Sequence, residues 1–169
     1  MAVTLYAPEQ YRATAQVLFA ETAQQIRAVL PDVQVEHMGS TAIPGALSKG
    51  DVDIAVLVPP GQLDHYLPRL LKLGFRVQDQ TLRTPQLCML KCPREEVDLA
   101  LQVIERDSPF EFFLTFRDRL RANPDLVATY NQIKKDARHL DDATYRAAKA
   151  AFIEQVLSET TSVSAADRS

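Results

Sequence analysis

Hydrophobic positions along the chain change from a mixture of helical and strand patterns to helical patterns alone. Apolar residues recur at helical spacing from Pro8 to about Leu30, and a second amphipathic helix is predicted from Leu63 to Leu73, with Gly74 as its C-cap. Alternating or continuous apolar runs predict the strands, and these cover residues 33–37, 51–58, 75–80, 86–92 and 97–103. The last two strands are joined by a short turn, which predicts a hairpin.

The C-terminal part of the chain carries helical signals only. Ser108, Pro109 and Glu111 form the pattern of a capping box, which predicts a helix from Ser108 to about Ala122. Asn123 and Asp141 are suitable caps for two further helices. We therefore predict an α/β (α+β) fold: a mixed β-sheet flanked by helices, with a helical C-terminal segment, in one domain over residues 1–158. The small, polar residues 159–169 are predicted to be a disordered tail.

Composition narrows the class of protein. The 169 residues include 46% hydrophobic and 24% charged residues, as in a globular protein that needs neither disulfides nor a structural metal for its core. The formal net charge of −3 gives no global basic field, so nucleic acid is not an expected partner. The N-terminus lacks a signal-peptide pattern, and no apolar stretch is long enough to span a bilayer. We expect a cytoplasmic protein without a membrane partner.

Two carboxylates begin the strand over residues 51–58. Asp51 and Asp53 stand at positions i and i+2, which places both side chains on one face of a strand, roughly 6.5–7 Å apart. Magnesium is commonly bound in proteins by one or two carboxylates together with substrate phosphates. The pair therefore predicts a site for Mg²⁺ or Mn²⁺, although aspartate also begins many strands simply because it ends the preceding turn.

The loop before this strand supplies a candidate phosphate site. Gly39 lets the backbone approach an anion, and the hydroxyls of Ser40 and Thr41 can donate hydrogen bonds to phosphate oxygens. Glycine and serine are also common in loops without any ligand. The loop together with the Asp51 and Asp53 pair is typical of nucleotidyltransferases.

A third carboxylate, Asp98, stands between apolar residues near the start of a later predicted strand. A carboxylate in that setting is costly unless it is paired, solvated or bound to metal. We predict that Asp98 is a third metal ligand or the base that activates an acceptor hydroxyl. The alternative is an outward-facing residue on an edge strand.

Four basic residues are candidates for contacts with phosphate, because phosphoryl transfer needs cations to neutralise the developing charge. They are Lys49, Arg117, Lys134 and Lys149. Each of them is also consistent with an ordinary surface charge; Arg117, for example, has Asp118 beside it as an ion-pair partner. Two other residues stay open: His37 is either part of the site or a strand-end histidine, and Tyr145 is either part of the site or a core aromatic.

The string of residues 36–49, Glu-His-Met-Gly-Ser-Thr-Ala-Ile-Pro-Gly-Ala-Leu-Ser-Lys, followed by Asp53 and Ile54, closely resembles the GrpB family of the nucleotidyltransferase superfamily. The agreement extends to residues 116–121 and 123–125, and then to Tyr130, Lys134, Tyr145 and Lys149. Related domains are fused to the C-terminus of some dephospho-coenzyme A kinases. The resemblance implies a nucleotidyltransferase-like fold and an association with nucleotide chemistry.

Two departures from the family pattern affect the acidic residues. Many relatives have Lys-Pro-Ile-Ile-Asp-Ile where this chain has residues 49–54, so Asp51 restores a carboxylate that they lack. Many relatives also have a His-x-His strand where this chain has residues 97–101, with Asp98 near the position of the third acid of the superfamily. Both departures favour a metal site.

These observations lead to two main hypotheses on function. The first is a metal-dependent nucleotidyltransferase that transfers a nucleoside monophosphate from an NTP to a hydroxyl acceptor, with Asp51, Asp53 and Asp98 as the catalytic and metal-binding acids. The alternative is a non-catalytic module that binds a nucleotide or a phosphometabolite. A scaffold protein that uses its C-terminal helices is a third possibility, with little support beyond their amphipathic faces. The acceptor, the base preference and the oligomeric state are not encoded in any recognisable pattern.

Overall fold

The computed structural model describes residues 2–166, with side chains as far as Glu159. This part of the chain forms five helices and five strands. The helices are α1 (Pro8–Val29), α2 (Leu63–Lys72), α3 (Phe112–Ala122), α4 (Pro124–Ala137) and α5 (Asp142–Ala166). The strands are β1 (Gln34–Met38), β2 (Val52–Val58), β3 (Arg76–Val77), β4 (Leu87–Lys91) and β5 (Leu99–Glu105).

The strands form one mixed sheet in the order β1-β2-β5-β4-β3. The central pair, β2 and β5, is parallel, and the other neighbours are antiparallel. Two parallel neighbours need a crossover connection, and the segment that contains α2, β3 and β4 provides it. The predicted pairing of β4 with β5 is confirmed.

Side chains alternate between the two faces of the sheet, as the pleat requires. Val52, Ile54 and Val56 of β2 belong to the largest apolar cluster, which α1 and α2 cover. Ala55 and Leu57 belong to the cluster on the opposite face, where the start of α3 packs. Asp53 shares the parity of these two residues and therefore faces the side of the C-terminal helices.

The C-terminal helices pack on one another through aromatic residues. The ring centroids of Phe116 and Tyr130 are 5.5 Å apart, and Tyr130 stacks on Phe152 at 5.2 Å. The same cluster includes Ile43 and Ala46 from the loop between β1 and β2. The helices therefore hold this loop in place beside the head of β2.

Two of the predicted helix starts are confirmed by their caps. The Asn123 side chain accepts hydrogen bonds from the backbone amides of Asp125 at 3.1 Å and Leu126 at 3.4 Å. Asp141 accepts from the amide of Thr144 at 2.9 Å. Each cap satisfies amides that the first turn of a helix leaves unpaired.

The predicted capping box at Ser108 is wrong. Residues Pro109–Glu111 form a 3₁₀ turn, and the α-helix begins at Phe112. The Ser108 side chain makes no capping hydrogen bond, and its Oγ is buried without a hydrogen-bond partner among the described residues.

The strand predicted over 75–80 is much shorter in the structure, where β3 contains two residues. Both lie at the edge of the sheet with exposed side chains. Gln80 has a φ of 61°, and Thr81 Oγ1 donates to the Gln78 carbonyl at 2.8 Å, so the chain turns away directly after β3. The pattern of residues alone does not reveal such a turn.

The tail predicted over 159–169 overlaps the end of α5, which continues to Ala166. Residues 167–169 lie outside the described residues. The disorder of this segment and the domain limits of 1–158 stay predictions. No helix of the described chain is long and apolar enough to cross a membrane.

Candidate functional site

A cavity of about 170 Å³ lies between the head of β2 and the helices α4 and α5. It brings together seven of the residues that the sequence predicts for the site: Gly39, Ser40, Lys49, Asp51, Asp53, Lys134 and Lys149. They come from the β1–β2 loop, the head of β2 and the two helices. The cavity therefore unites the predicted carboxylate pair, the glycine–serine loop and three of the four predicted cations.

The Gly39 backbone lies directly against the Asp53 carboxylate. Gly39 has a φ of 75°, and a Cβ atom added to it would lie 2.6 Å from Asp53 Oδ2. Any side chain at this position would clash with the carboxylate, besides adopting a backbone conformation that L-residues rarely adopt. The glycine thus allows the carboxylate of β2 and the turn after β1 to share the same corner of the cavity.

The two carboxylates repel each other at this corner. Burial of the Asp53 carboxyl, followed by the charge of Asp51, raises the pKa of Asp53 to about 7. The ammonium groups of Lys149 and Lys49 act in the opposite direction but do not cancel the effect. A partly buried carboxylate whose charge is disfavoured in this way is a suitable ligand for a cation, because the cation would relieve both causes of the shift.

Lys134 reaches the cavity from the side of α4 and is almost fully buried, with 1% of its surface exposed. Its Nζ donates to Ser40 Oγ at 3.2 Å and also to the Leu47 carbonyl. The ammonium lies 4.2 Å from the centroid of the Tyr130 ring. Burial, followed by the charge of Lys149, lowers the pKa of Lys134 to about 7. Lys134 is therefore part of the loop–helix contact as well as part of the cavity.

The remaining cations of the cavity differ in exposure. Lys149 of α5 lies over the Tyr145 ring at 5.3 Å, and burial lowers its pKa. Lys49 is exposed at the mouth of the cavity. Tyr145 is buried and also lines the cavity, where burial and the charge of Asp51 raise its pKa to about 12. Three lysines thus share the cavity with two carboxylates, an arrangement that suits an anion accompanied by a metal ion.

Thr41 does not line the cavity but acts on it indirectly. Its hydroxyl donates to the Asp51 carbonyl at 3.1 Å and lies 2.9 Å from His37 Nε2. Because the single hydroxyl proton goes to the carbonyl, the histidine nitrogen must be the donor in the other bond. His37 stacks on Phe19 at 5.0 Å, and burial lowers its pKa to about 4, so the ring is neutral at pH 7. This chain of contacts fixes the backbone at the head of β2.

Arg117 lies outside the cavity lining, and its contacts are structural. Its guanidinium donates to Glu36 at 2.7 Å, to the His37 carbonyl at 2.8 Å and to Asp118 at 2.9 Å. The side chain is 8% exposed. Arg117 therefore ties α3 to β1, and the structure does not bring it to the predicted phosphate site.

Asp98 also lies outside the cavity lining, although its backbone carbonyl accepts a hydrogen bond at 2.9 Å from the amide of Val52, the residue between Asp51 and Asp53. It precedes β5, is exposed, and forms an ion pair with Lys91 at 3.0 Å. Its charge still contributes to the raised pKa of Asp53, so it lies within electrostatic range of the pair. No group of three or more His, Cys, Asp or Glu side chains in the described part of the chain is arranged to hold a metal. Among the described residues, the three predicted acids are therefore not assembled into a metal site.

Residues that the sequence did not single out complete the cavity wall, chiefly Gln102 of β5 and Phe113 of α3. In the sheet, Ala100 pairs with Asp53 and Gln102 pairs with Ala55, so both share the Asp53 face. Gln102 was detectable in principle as a polar residue within an apolar strand. Which face it occupies follows only from the register of β5 on β2.

Comparison with known families gives a direct match. The family described as GrpB protein matches residues 8–159. A UPF0157 protein of Vibrio cholerae is 44% identical over 154 residues, which are 91% of this chain and 81% of that protein. A UPF0157 protein of Halalkalibacterium halodurans is 31% identical over 147 residues, covering 83% of this chain and 74% of that protein. The chain belongs to the GrpB family.

Solved structures are similar in fold. The crystal structure of the conserved protein GrpB from Enterococcus faecalis has a TM-score of 0.67 and 21% identity, and the match covers 91% of this chain and 99% of that one. The Cid1 poly(U) polymerase has a TM-score of 0.53 and 12% identity; the match covers 77% of this chain but 42% of that one. The predicted nucleotidyltransferase-like fold is confirmed, and these identities show the fold alone.

Proposed function

We propose that the cavity binds the phosphate groups of a nucleoside triphosphate together with Mg²⁺ or Mn²⁺, and that the protein transfers nucleoside monophosphate to a hydroxyl acceptor. The observation that supports this proposal most strongly is the meeting of Asp51 and Asp53 with the Gly39–Ser40 loop and three lysines in one cavity of a nucleotidyltransferase-like fold. Each of these groups suits one part of a metal–phosphate complex.

The cations and the loop would hold the phosphates. Lys49 at the mouth and Lys149 on α5 supply positive charge near the carboxylates. Ser40 offers a hydroxyl that already contacts Lys134, so a phosphate oxygen at this position would accept from an ammonium and a hydroxyl together. Charge-assisted hydrogen bonds of this kind are roughly twice as strong as neutral ones.

Asp51 and Asp53 would hold the metal ion, since Mg²⁺ takes oxygen ligands and keeps part of its shell for water and phosphate. The bound ion would neutralise negative charge on the phosphates. Asp53 must lose its proton for this purpose. Because its pKa is raised to about 7, metal binding and deprotonation of Asp53 are coupled near neutral pH.

Transfer would require a base for the acceptor hydroxyl, and we propose Asp98 for this role. The acceptor oxygen would form a bond to the α-phosphorus as the bond from that phosphorus to pyrophosphate breaks, and Asp98 would take the hydroxyl proton. Asp98 would first leave Lys91. Both side chains of this pair are substantially exposed, at 42% and 63%, so breaking the pair costs under about 1 kcal/mol.

A second candidate is a module that binds a nucleotide or phosphometabolite without transferring it. The ion pair of Asp98 with Lys91, outside the cavity lining, favours this alternative, as does the absence of an acid at Ala100 and Gln102, the β5 positions on the Asp53 face. Such a module would keep the phosphate contacts of the loop and the lysines. It would release no pyrophosphate.

Release of pyrophosphate separates the two candidates. The purified protein is incubated with Mg²⁺, each of the four NTPs and a pool of small-molecule hydroxyl acceptors. The transferase releases pyrophosphate, Asp53→Asn abolishes it, and Asp98→Asn lowers it by about 100-fold or more without loss of nucleotide binding. Asp64→Asn on α2 is the matched control, because Asp64 is exposed and lies outside the cavity lining. Binding without pyrophosphate release in the unmodified protein identifies the binding module instead.

A further inference from the structure

The cavity with the carboxylates is too small for a whole nucleotide. Its volume of about 170 Å³ compares with roughly 300–1,000 Å³ for typical small-molecule sites. If the phosphates and the metal occupy it, the nucleoside must lie elsewhere. A second opening adjoins it: a groove of about 140 Å³ that shares two of its lining residues, Gln102 and Phe113, with the cavity.

The sheet register places this groove next to the cavity on the same face. Ala55 of β2 pairs with Gln102 of β5, which in turn pairs with Met89 of β4. Paired residues of neighbouring strands lie side by side, about 4.8 Å apart from strand to strand. Ala55, Gln102 and Met89 therefore lie side by side on the face of the sheet that carries Asp53. Gln102 lines the cavity and the groove, and Met89 forms the floor of the groove.

The walls of the groove are apolar and aromatic. Phe110 and Phe112 line it together with Phe113, and the rings of Phe112 and Phe113 lie 4.1 Å apart. All three phenylalanines are only partly buried, and Leu82 at the rim is 63% exposed. Such a cluster of incompletely covered aromatic and apolar side chains is typical of a surface that binds a planar apolar group.

Gln102 adds a polar group at the junction. Its side chain is half-buried, and no residue of the described chain forms a hydrogen bond with the side-chain amide group. A side-chain amide offers both donors and an acceptor, which is the combination found along the edge of a nucleobase. The junction thus pairs aromatic faces with one unused side-chain amide, and it adjoins the cavity through the shared residues Gln102 and Phe113.

From this arrangement we infer that the groove beside β4 binds the nucleobase of the nucleotide whose phosphates occupy the cavity. The base stacks on the phenylalanine rings, and Gln102 contacts its edge. This inference rests on the proposed function and deepens it by naming where the nucleoside lies. The wall that the groove shares with the cavity favours a nucleobase over a protein segment, because a nucleobase is attached to phosphates and a protein segment has no group that needs the carboxylate site.

A comparison of NTPs with inorganic tripolyphosphate tests the inference, because tripolyphosphate has the phosphates without the nucleoside. Dissociation constants are measured by calorimetry with Mg²⁺ present. We expect at least one NTP to bind about fivefold to hundredfold more tightly than tripolyphosphate, the range that one stacked base contributes. Two variants alter the groove alone: Met89→Trp fills its floor, and Phe110→Leu removes one ring. Neither residue lines the cavity.

Both variants are expected to lower NTP affinity to that of tripolyphosphate and to leave tripolyphosphate affinity unchanged, which also shows that they are folded. Equal binding of NTP and tripolyphosphate by the unmodified protein overturns the nucleobase site but leaves the phosphate site intact. The nucleobase site is also overturned if the variants still bind NTP more tightly than tripolyphosphate, which is the result expected of a groove that binds a protein partner. It is likewise overturned if the variants weaken the binding of both ligands equally. Failure of both ligands to bind the unmodified protein overturns the proposed function itself.

Discussion

A Cβ atom at Gly39 would lie 2.6 Å from the Asp53 carboxylate oxygen Oδ2, so the turn after β1 and the second acid of the pair occupy one tightly packed corner. The contact links two parts of the sequence that were predicted separately, one as a phosphate loop and one as a metal ligand. It also means that the position of the carboxylate depends on the absence of a side chain at residue 39.

Gly39→Ala is therefore expected to displace the Asp53 side chain. We predict that the strained backbone conformation lowers the free energy of unfolding by about 1–3 kcal/mol, and that the clash lowers it further. The metal-dependent nucleotide affinity should fall at least about tenfold. Gly61→Ala is the matched control, because Gly61 has a φ of 76° with no atom within 4 Å of an added Cβ. Chemical denaturation and calorimetry measure both effects; equal behaviour of the two variants would contradict the proposed contact.

Asp53→Asn should stabilise the metal-free protein while it removes the metal site. Because the folded protein holds the Asp53 proton up to about pH 7, whereas the unfolded chain releases it near 3.8, the Asp53 carboxyl makes the free energy of unfolding fall as pH rises between these values. The variant lacks this titration. The free energy of unfolding of the variant should therefore exceed that of the unmodified protein by an amount that grows from pH 4 to 7. At pH 8 the difference should be more than about 1.4 kcal/mol, the equivalent of one pKa unit.

Urea denaturation in a chelator at several pH values measures this difference. Asp64→Asn, an exposed carboxylate with an ion pair to Arg83, serves as the control and should show no such trend. A variant at Asp53 that is less stable than the unmodified protein at pH 8 would mean that the carboxylate is not disfavoured in the folded state.

Thr41→Val is predicted to weaken the head of β2. The change keeps the shape of the side chain but removes the hydroxyl that donates to the Asp51 carbonyl and accepts from His37. The groups are partly buried, so leaving them without a partner costs up to about 1–3 kcal/mol. We expect that loss in denaturation, accompanied by weaker Mg²⁺-nucleotide binding. Thr41→Ser retains the hydroxyl and should keep most of the stability and most of the nucleotide affinity. The positioning role would be refuted if Thr41→Ser were as impaired as Thr41→Val.

Arg117→Lys should destabilise the protein without a specific effect on phosphate. Lysine cannot reproduce the fork of bonds to Glu36, Asp118 and the His37 carbonyl, and the loss of hydrogen bonds to charged groups lowers the free energy of unfolding by about 1–3 kcal/mol. Arg146→Lys, in an exposed pair on α5, should cost under about 1 kcal/mol. Thermal and urea denaturation check the difference. A stable Arg117→Lys protein with selectively weaker tripolyphosphate binding would instead support the phosphate role predicted from sequence.

The parts of the fold that were predictable are those that depend on local chemistry. The cap at Asn123, the helix from Pro8 and the continuous apolar run of β2 each depend on neighbouring residues, so their patterns predicted the elements. The glycine–serine loop and the Asp51–Asp53 pair were recognisable for the same reason. Ser108 shows the limit, since the same residues that suit a capping box also suit the 3₁₀ turn that forms there.

The parts that were not predictable depend on residues far apart in the chain. Arg117 binds Glu36, 81 positions away, and Lys134 binds Ser40, 94 positions away; no local pattern distinguishes these buried cations from surface charges. Asp98 lies one residue before β5 and pairs with Lys91 across a turn, so whether its side chain enters the cavity depends on the strand register. Register is a property of the assembled sheet.

Calorimetric titration of the purified protein with each of the four NTPs, with and without Mg²⁺, tests the central claim most directly. The account predicts Mg²⁺-dependent binding of at least one NTP, and its loss in the Asp51→Asn/Asp53→Asn double variant, with Asp64→Asn behaving as the unmodified protein does. A metal–nucleotide site at the head of β2 would be contradicted if NTP affinity were the same with and without Mg²⁺ and in the double variant. It would also be contradicted if no NTP bound at all.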